Sequence, residues 1–248
     1  MKKALLEANS LYFSFPDRPD VIDGISFSVA EKEKIAVIGA NGSGKTTLFL
    51  LLCGILKPMS GTILLDGKPV RHNAFNSNIN YLFQSPVDQL FSPRLYDDVA
   101  FGPLNMGLSR EETQKVVDKA LDAVGLSIYA DAPSHHLSGG EKRLAAVATL
   151  LSMNPRVLLF DEPTSNLDAR NRRKVIDLIR GMDTTMLVSS HDLEFLLEVC
   201  SRCLIMDSGR VVADGEIRPL LSDGKLLAEY HMEKPHSLIP HDHSILPE

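Results

Sequence analysis

No apolar run in this sequence is long enough to cross a bilayer. The longest, Leu48 to Leu56, is about half of the ~20 residues that a spanning helix needs. A secretory leader is also missing, because Glu7 and Asn9 interrupt the segment that follows Met1, Lys2 and Lys3. The expected location is therefore cytoplasmic, with any membrane spans supplied by another subunit. Basic charge is in deficit: 26 Lys and Arg stand against 32 Asp and Glu, for a net charge of -6. Such a balance suits neither a phosphate-neutralising surface nor a nucleic-acid partner. Cysteine is scarce, with three residues in 248. Cys200 and Cys203 lack a second ligand pair at metal-site spacing and lie among apolar residues, so they are expected to be buried thiols in a reducing compartment. There is no internal repeat, and no Asn is followed by Lys, which removes the guanine motif N-K-x-D.

What remains is an ordinary globular composition, 44% apolar and 23% charged. Leu11 to Phe15 and Ile25 to Val29 alternate apolar and small polar residues, as half-buried antiparallel strands do. Thr62 to Leu65, the turn Asp66-Gly67 and Val70 continue this β-rich character. In contrast, Ile35–Ile38, Val157–Phe160 and Met186–Val188 are continuous apolar runs, the mark of strands buried on both faces of a parallel sheet. Each precedes a turn and a helical pattern, giving a βα alternation. Between Asp97 and Ser152 the pattern becomes helical, at Arg110 to Val124 and Glu141 to Leu151. Leu204–Met206 and Arg210–Ala213 flank Asp207-Ser208-Gly209 as a hairpin. From about residue 231 periodicity fades, and Pro235, Pro240 and Pro247 suggest a mobile tail. The tail holds His231, His236, His241 and His243, of which His241 and His243 form at most a weak metal motif, and none is assigned as a ligand.

Gly39-Ala40-Asn41-Gly42-Ser43-Gly44-Lys45-Thr46-Thr47 fits G-x-x-x-x-G-K-[ST], after a strand and before a helix. Glycines let successive backbone N–H groups turn toward one phosphate, and the helix N-terminus adds partial positive charge. Lys45 is expected to reach the β- and γ-phosphates and the Thr46 hydroxyl to ligate Mg²⁺. This loop specifies a nucleoside triphosphate without choosing among its users. Asp161 and Glu162 follow a buried strand at the edge where open α/β sheets bind ligands. Asp161 is expected to hold Mg²⁺, and Glu162 to orient or deprotonate the attacking water.

Between these motifs lies Leu137-Ser138-Gly139-Gly140-Glu141-Lys142-Arg143, in which Ser138 suits an N-cap and Glu141 the third helical position. Asp161-Glu-Pro-Thr-Ser-Asn-Leu-Asp168 comes next. With these residues the sequence resembles the ATP-binding cassette family over residues ~5 to 220, matching its signature at 137–141 and its D-loop at 165–168. The resemblance implies an α/β fold: a RecA-like P-loop NTPase core with a mostly parallel sheet, an antiparallel β sub-domain and a helical sub-domain at about 88–152. It makes residues 1–220 an ABC ATPase domain and 221–248 a C-terminal extension. ATP and Mg²⁺ are the implied cofactors. Ser138, Gly139 and Gly140 are implied to act across a head-to-tail dimer, homodimeric or formed with a similar ATPase.

Further positions carry over from the family. Gln84 looks like the Q-loop glutamine that contacts Mg²⁺ and water, His191 like the switch histidine at the γ-phosphate, and Asp168 like the D-loop aspartate. Phe15 looks like the aromatic that stacks on adenine, with Tyr12 and Phe13 as alternatives. Asn166 departs from the small residue common at its position. Phe83 to Pro93 and Asp97 to Asn105 are similar to energy-coupling-factor ATPases, above all the cobalt/nickel type. That implies a coupling subunit in the cell membrane, contacted near residues 84–103 on its cytoplasmic face, and a membrane substrate-binding subunit. An ATPase for vitamin uptake, or of a conventional ABC transporter, is the alternative.

Overall fold

The computed structural model describes residues 3–85 and 89–239. Two sheets organise it. The first is antiparallel, in the order β2-β1-β4-β5, and is built from β1 (Ala4–Phe15), β2 (Arg18–Ala30), β4 (Ser60–Leu65) and β5 (Lys68–Pro69). The second is six-stranded, in the order β10-β9-β3-β8-β7-β6. It comprises β3 (Lys34–Ile38), β6 (Ile79–Leu82), β7 (Val157–Asp161), β8 (Thr185–Ser189), β9 (Arg202–Asp207) and β10 (Arg210–Glu216). All its pairings are parallel except β9 with β10.

The period of two along each parallel strand explains the continuous apolar runs. Ile35, Val37, Val157, Leu159, Leu187, Leu204 and Met206 face one core, shared with the antiparallel sheet and α1 (Lys45–Leu52). Ala36, Ile38, Leu158, Phe160, Met186, Val188, Cys203 and Ile205 face a second core, shared with the helices. Each fully buried aliphatic side chain stabilises by roughly 1.5–3 kcal/mol, so the inner strands β3, β7, β8 and β9 keep their polar residues to their ends. The three cysteines are buried and unpaired.

The helical region consists of α2 (Leu95–Asn105), α3 (Arg110–Ala123) and α4 (Gly139–Leu151). Identical capping boxes start α3 and α4: Ser109 with Glu112, and Ser138 with Glu141. α5 (Ala169–Gly181) and α6 (Leu193–Val199) follow β7 and β8, and α7 (Ile217–Ser222) and α8 (Gly224–Glu229) follow the hairpin. The described part of the tail packs against the body of the protein. Pro235 is buried, Met232 and Leu238 pack on the second core, and Ser237 donates from N and Oγ to the Glu194 carboxylate on α6 at 2.9 and 2.6 Å. His241 and His243, with the rest of the expected mobile tail, lie outside the described residues.

Candidate nucleotide site

Because β3, β8, β7 and β6 run parallel, the loops that follow them emerge on one edge of the sheet. Those loops carry Gly39 to Gly44, then Ser190-His191, then Glu162 to Asp168, then Phe83-Gln84. A cleft of about 260 Å³ between them is lined by Asn41, Gly42, Gly44, Lys45, Thr46, Thr47, Gln84, Asp161, Glu162 and His191. Arg18 and Val21 complete its wall.

The phosphate loop is held by protein contacts before any ligand is considered. Gly39 and Gly44 have φ of 151° and 105°, and a Cβ there would lie 2.1 Å from the Met206 carbonyl oxygen and 2.7 Å from that of Val21. Glycine is thus demanded at these two positions by β9 and by β2. The buried Lys45 ammonium donates to the carbonyls of Gly39 at 2.8 Å and Ala40 at 3.1 Å. Burial pulls its pKa below the usual lysine value, against the opposing fields of Glu162 and Asp161.

Asp161 closes β7 with its carboxylate buried. Its Oδ2 accepts from Thr46 Oγ1 at 2.7 Å and Tyr81 OH at 3.0 Å, and its Oδ1 accepts from Ser189 Oγ. Burial, then the Asp161 charge, raises the Tyr81 phenol pKa, so Tyr81 stays a donor. Glu162 has a left-handed backbone, φ 51°, fixed by its N–H to the Ser189 carbonyl at 3.0 Å and its own carbonyl accepting from Ser165 N at 3.2 Å. Its Oε2 accepts weakly from Ser190 Oγ at 3.3 Å and His191 N at 3.4 Å. Its Oε1 is buried without a hydrogen-bond partner and lies 3.6 Å from His191 Nε2. That ring nitrogen lies 3.0 Å from Asn41 Oδ1 on the phosphate loop. An unpaired acceptor oxygen on a cleft-lining carboxylate, beside an imidazole, is the kind of group a water nucleophile needs.

The remaining sequence-selected residues lie around this centre. Gln84 is exposed and lines the cleft. It also lines a second cavity of about 690 Å³, together with Thr46, Gly139, Arg143, Ser165 and Asn166. Ser138 caps α4: its Oγ accepts from Glu141 N at 3.3 Å and donates to Glu141 Oε2 at 2.7 Å. Gly140 is buried against Asn171. Asp168 caps α5, accepting from Asn171 N and Nδ2, both at 2.8 Å. Asn166 adopts φ 59°, a conformation that asparagine tolerates well. Phe15 ends β1, stacked edge-on against Phe13 at 4.9 Å, and does not line the cleft. Its partner in register, Arg18, does, donating from Nη2 to the Gly42 carbonyl at 2.8 Å. Arg18, Tyr81 and Ser189 were not singled out from sequence. Tyr81 sits on β6, a short strand that no apolar run announced.

This arrangement belongs to the P-loop nucleoside triphosphatases. Comparison narrows the class: the chain is a member of the ABC transporter family, whose profile matches residues 22–165, and it is an ATPase coupled to transport. A Synechocystis sp. protein, itself only provisionally assigned as an ABC transporter ATP-binding protein, is 45% identical over 233 residues, covering 94% of this chain and 82% of that one. An energy-coupling factor transporter ATP-binding protein, EcfA, from Methanocaldococcus jannaschii is 37% identical over 239 residues, covering 93% and 86%. Among solved structures, CbiO1 from Clostridium perfringens, described as part of the ABC transporter complex CbiONQ, aligns with a TM-score of 0.80. Its identity is 34% over 92% of this chain and 94% of that chain.

Proposed function

We propose that the chain is the ATP-hydrolysing subunit of an energy-coupling-factor importer for cobalt or nickel ions. The observation that carries the hydrolytic part is the convergence of Lys45, Thr46, Asp161, Glu162 and His191 on one cleft. Relatives named EcfA and CbiO1 support the importer type.

The loop Gly39 to Thr47 cradles the phosphates through backbone N–H groups, with Lys45 leaving its two carbonyls to bridge β- and γ-phosphates. Thr46 and Asp161 offer a hydroxyl and a carboxylate oxygen 2.7 Å apart, hard donors of the kind Mg²⁺ takes alongside waters and phosphate oxygens. Gln84 is the third group of this set. When bound, Mg²⁺ neutralises charge on the β- and γ-phosphates. Glu162 Oε1 accepts the proton of the attacking water as its oxygen bonds to the γ-phosphorus and the bond to the β-phosphate oxygen breaks, releasing ADP and phosphate. His191 steadies the γ-phosphate. Phe15 stacks on adenine outside the phosphate cleft, next to its register partner Arg18 in the cleft wall.

Ser138, Gly139 and Gly140 complete the site of a second copy or similar ATPase, with Asp168 at the contact. The ATPase works at the cytoplasmic face of the membrane, beside a coupling subunit and a substrate-binding subunit. Among the described residues no helix is long and apolar enough to cross a membrane, so the spans belong to those partners. Exposed Phe75, Phe91 and Phe101 rim an apolar cavity of about 370 Å³ that also includes Gln89 and Asp98, a surface suited to the coupling subunit. Pro86, Val87 and Asp88 of the expected contact lie outside the described residues.

Purification from detergent-solubilised membranes tests the assembly. The expected result is co-purification with two integral membrane subunits and ATP-dependent cobalt or nickel uptake in vesicles. Crosslinks to the coupling subunit that avoid residues 84–103 contradict the docking. Mixing Ser138→Arg with Lys45→Ala tests the shared site: a trans arrangement leaves one composite site intact and restores turnover, whereas a cis arrangement leaves both sites broken.

A further inference from the structure

Arg143, one turn into α4, is 2% exposed, yet among the described residues it forms no ion pair and its hydrogen bonds go to backbone carbonyls alone. Its guanidinium reaches across to the segment after β6. Nη1 donates to the Phe83 carbonyl at 2.9 Å and Nη2 to the Gln84 carbonyl at 2.6 Å, while Nε is buried without a partner. A permanently charged group has thus been desolvated to grip two successive carbonyls just past the end of β6. The planar fork fixes direction as well as distance, which a lysine cannot do. Both ends matter to the site. Gln84 lines the nucleotide cleft, and α4 begins at the signature residues Ser138 and Gly139, so the fork connects them through a single side chain.

We infer that Arg143 is a positioning residue for ATP hydrolysis: its guanidinium ties the signature helix to the Gln84 backbone, so that the helix and the Gln84 side chain move as one unit. This rests on the role of Gln84 in the proposed hydrolysis. The desolvated fork has a second consequence. Burial pulls the pKa of the guanidinium down, against the opposing fields of Asp161 and Glu162, so the charge that Arg143→Lys keeps lies within electrostatic range of the acidic pair.

Arg143→Lys keeps the charge and most of the volume and removes the fork. With the full chain in the complex in which it purifies, kcat is expected to fall about tenfold or more, the scale of a displaced catalytic group, while the Kd for ATP stays within about twofold. In a Gln84→Ala background the same substitution is expected to add little, because Arg143 acts through Gln84. Arg143→Met, which also removes the charge, is expected to lose more activity than Arg143→Lys, and a thermal melt identifies any part of that loss caused by misfolding. A full, independent loss from Arg143→Lys in the Gln84→Ala background overturns the inference alone. So does a parallel weakening of ATP binding. A Gln84→Ala protein with normal kcat overturns both the inference and the proposed role of Gln84.

Discussion

Glu162 is held in its place at a cost in free energy. Its backbone is left-handed, its carboxylate is buried, and Oε1 is unsatisfied. A buried acceptor without a partner costs about 1–3 kcal/mol, and a non-glycine residue at positive φ about 1 kcal/mol or more. The ladder on either side, Ser189 to Glu162 and Glu162 to Ser165, keeps it there. Neutralising the side chain leaves the backbone strain in place but lifts the desolvation of a buried charge. Glu162→Gln is expected to raise Tm by about 2–4 °C, to leave ATP affinity intact, and to slow turnover by about 100-fold or more. Calorimetry, equilibrium binding and phosphate release check the three parts; near-normal hydrolysis removes Glu162 as the base. Lys45 behaves differently, because its ammonium already spends its donors on the loop carbonyls. Lys45→Ala is expected to weaken ATP binding by about tenfold or more, since a charge-assisted contact is worth about 1.5–3 kcal/mol, measurable with a fluorescent nucleotide. Lys45, Asp161 and Glu162 are legible in sequence because spacing alone marks them. Arg18, Tyr81 and Ser189 are not, because each meets its partner at a sequence distance that no motif spans: 24 residues to Gly42, 80 and 28 to Asp161.

Among the elements, the signature helix does two mechanical jobs that its motif does not advertise. Ser138 and Glu141 form a reciprocal cap, anticipated from their spacing. Gly140 permits a close crossing with α5: a Cβ there would lie 2.3 Å from Asn171 Cγ. Asn171 in turn donates to Asp168, so the second glycine of the signature and the end of the D-loop share one side chain. Gly140→Ala is expected to destabilise the fold by about 1–3 kcal/mol through overpacking. Asn171→Gly, which clears the contact, is expected to cost less in that background than in the wild type. Denaturant midpoints of the two single variants and the double variant test this coupling; strictly additive losses contradict it. The strand β6 is not legible in the sequence for a related reason. Ile79-Asn80-Tyr81-Leu82 is short and interrupted by Asn80, whose side chain finds the Leu150 carbonyl at 3.3 Å only after α4 packs above it.

For the whole molecule, the two cores on either side of one sheet set the pH response. Burial pushes the Cys53 thiol up to about 11 and the Cys203 thiol up to about 12. An unfolded chain releases these protons at the ordinary thiol value, 9.0, whereas the folded chain holds them. The folded state therefore binds more protons between these limits, and stability falls as pH rises through that window. Melts from pH 8 to 10.5 are expected to show the decline, and Cys203→Ala to flatten it; a slope unchanged by the substitution contradicts the assignment. The same burial makes the thiols inert to alkylation in the native state and reactive only on unfolding.

Local pattern in the sequence was sufficient for the strand that feeds the phosphate loop, the capped start of α4, the acidic strand end and the family they define. Each of these is written within a few neighbouring residues, where spacing and backbone chemistry act directly. Only the tertiary structure decided that a buried arginine grips the Gln84 segment, that Gly140 lies against Asn171, that Arg18 rather than Phe15 walls the cleft, and that Pro235 and Ser237 dock on the body of the protein. Those contacts join residues far apart in the chain, and their energies exist only once two cores have brought the sheet edge and the helices together.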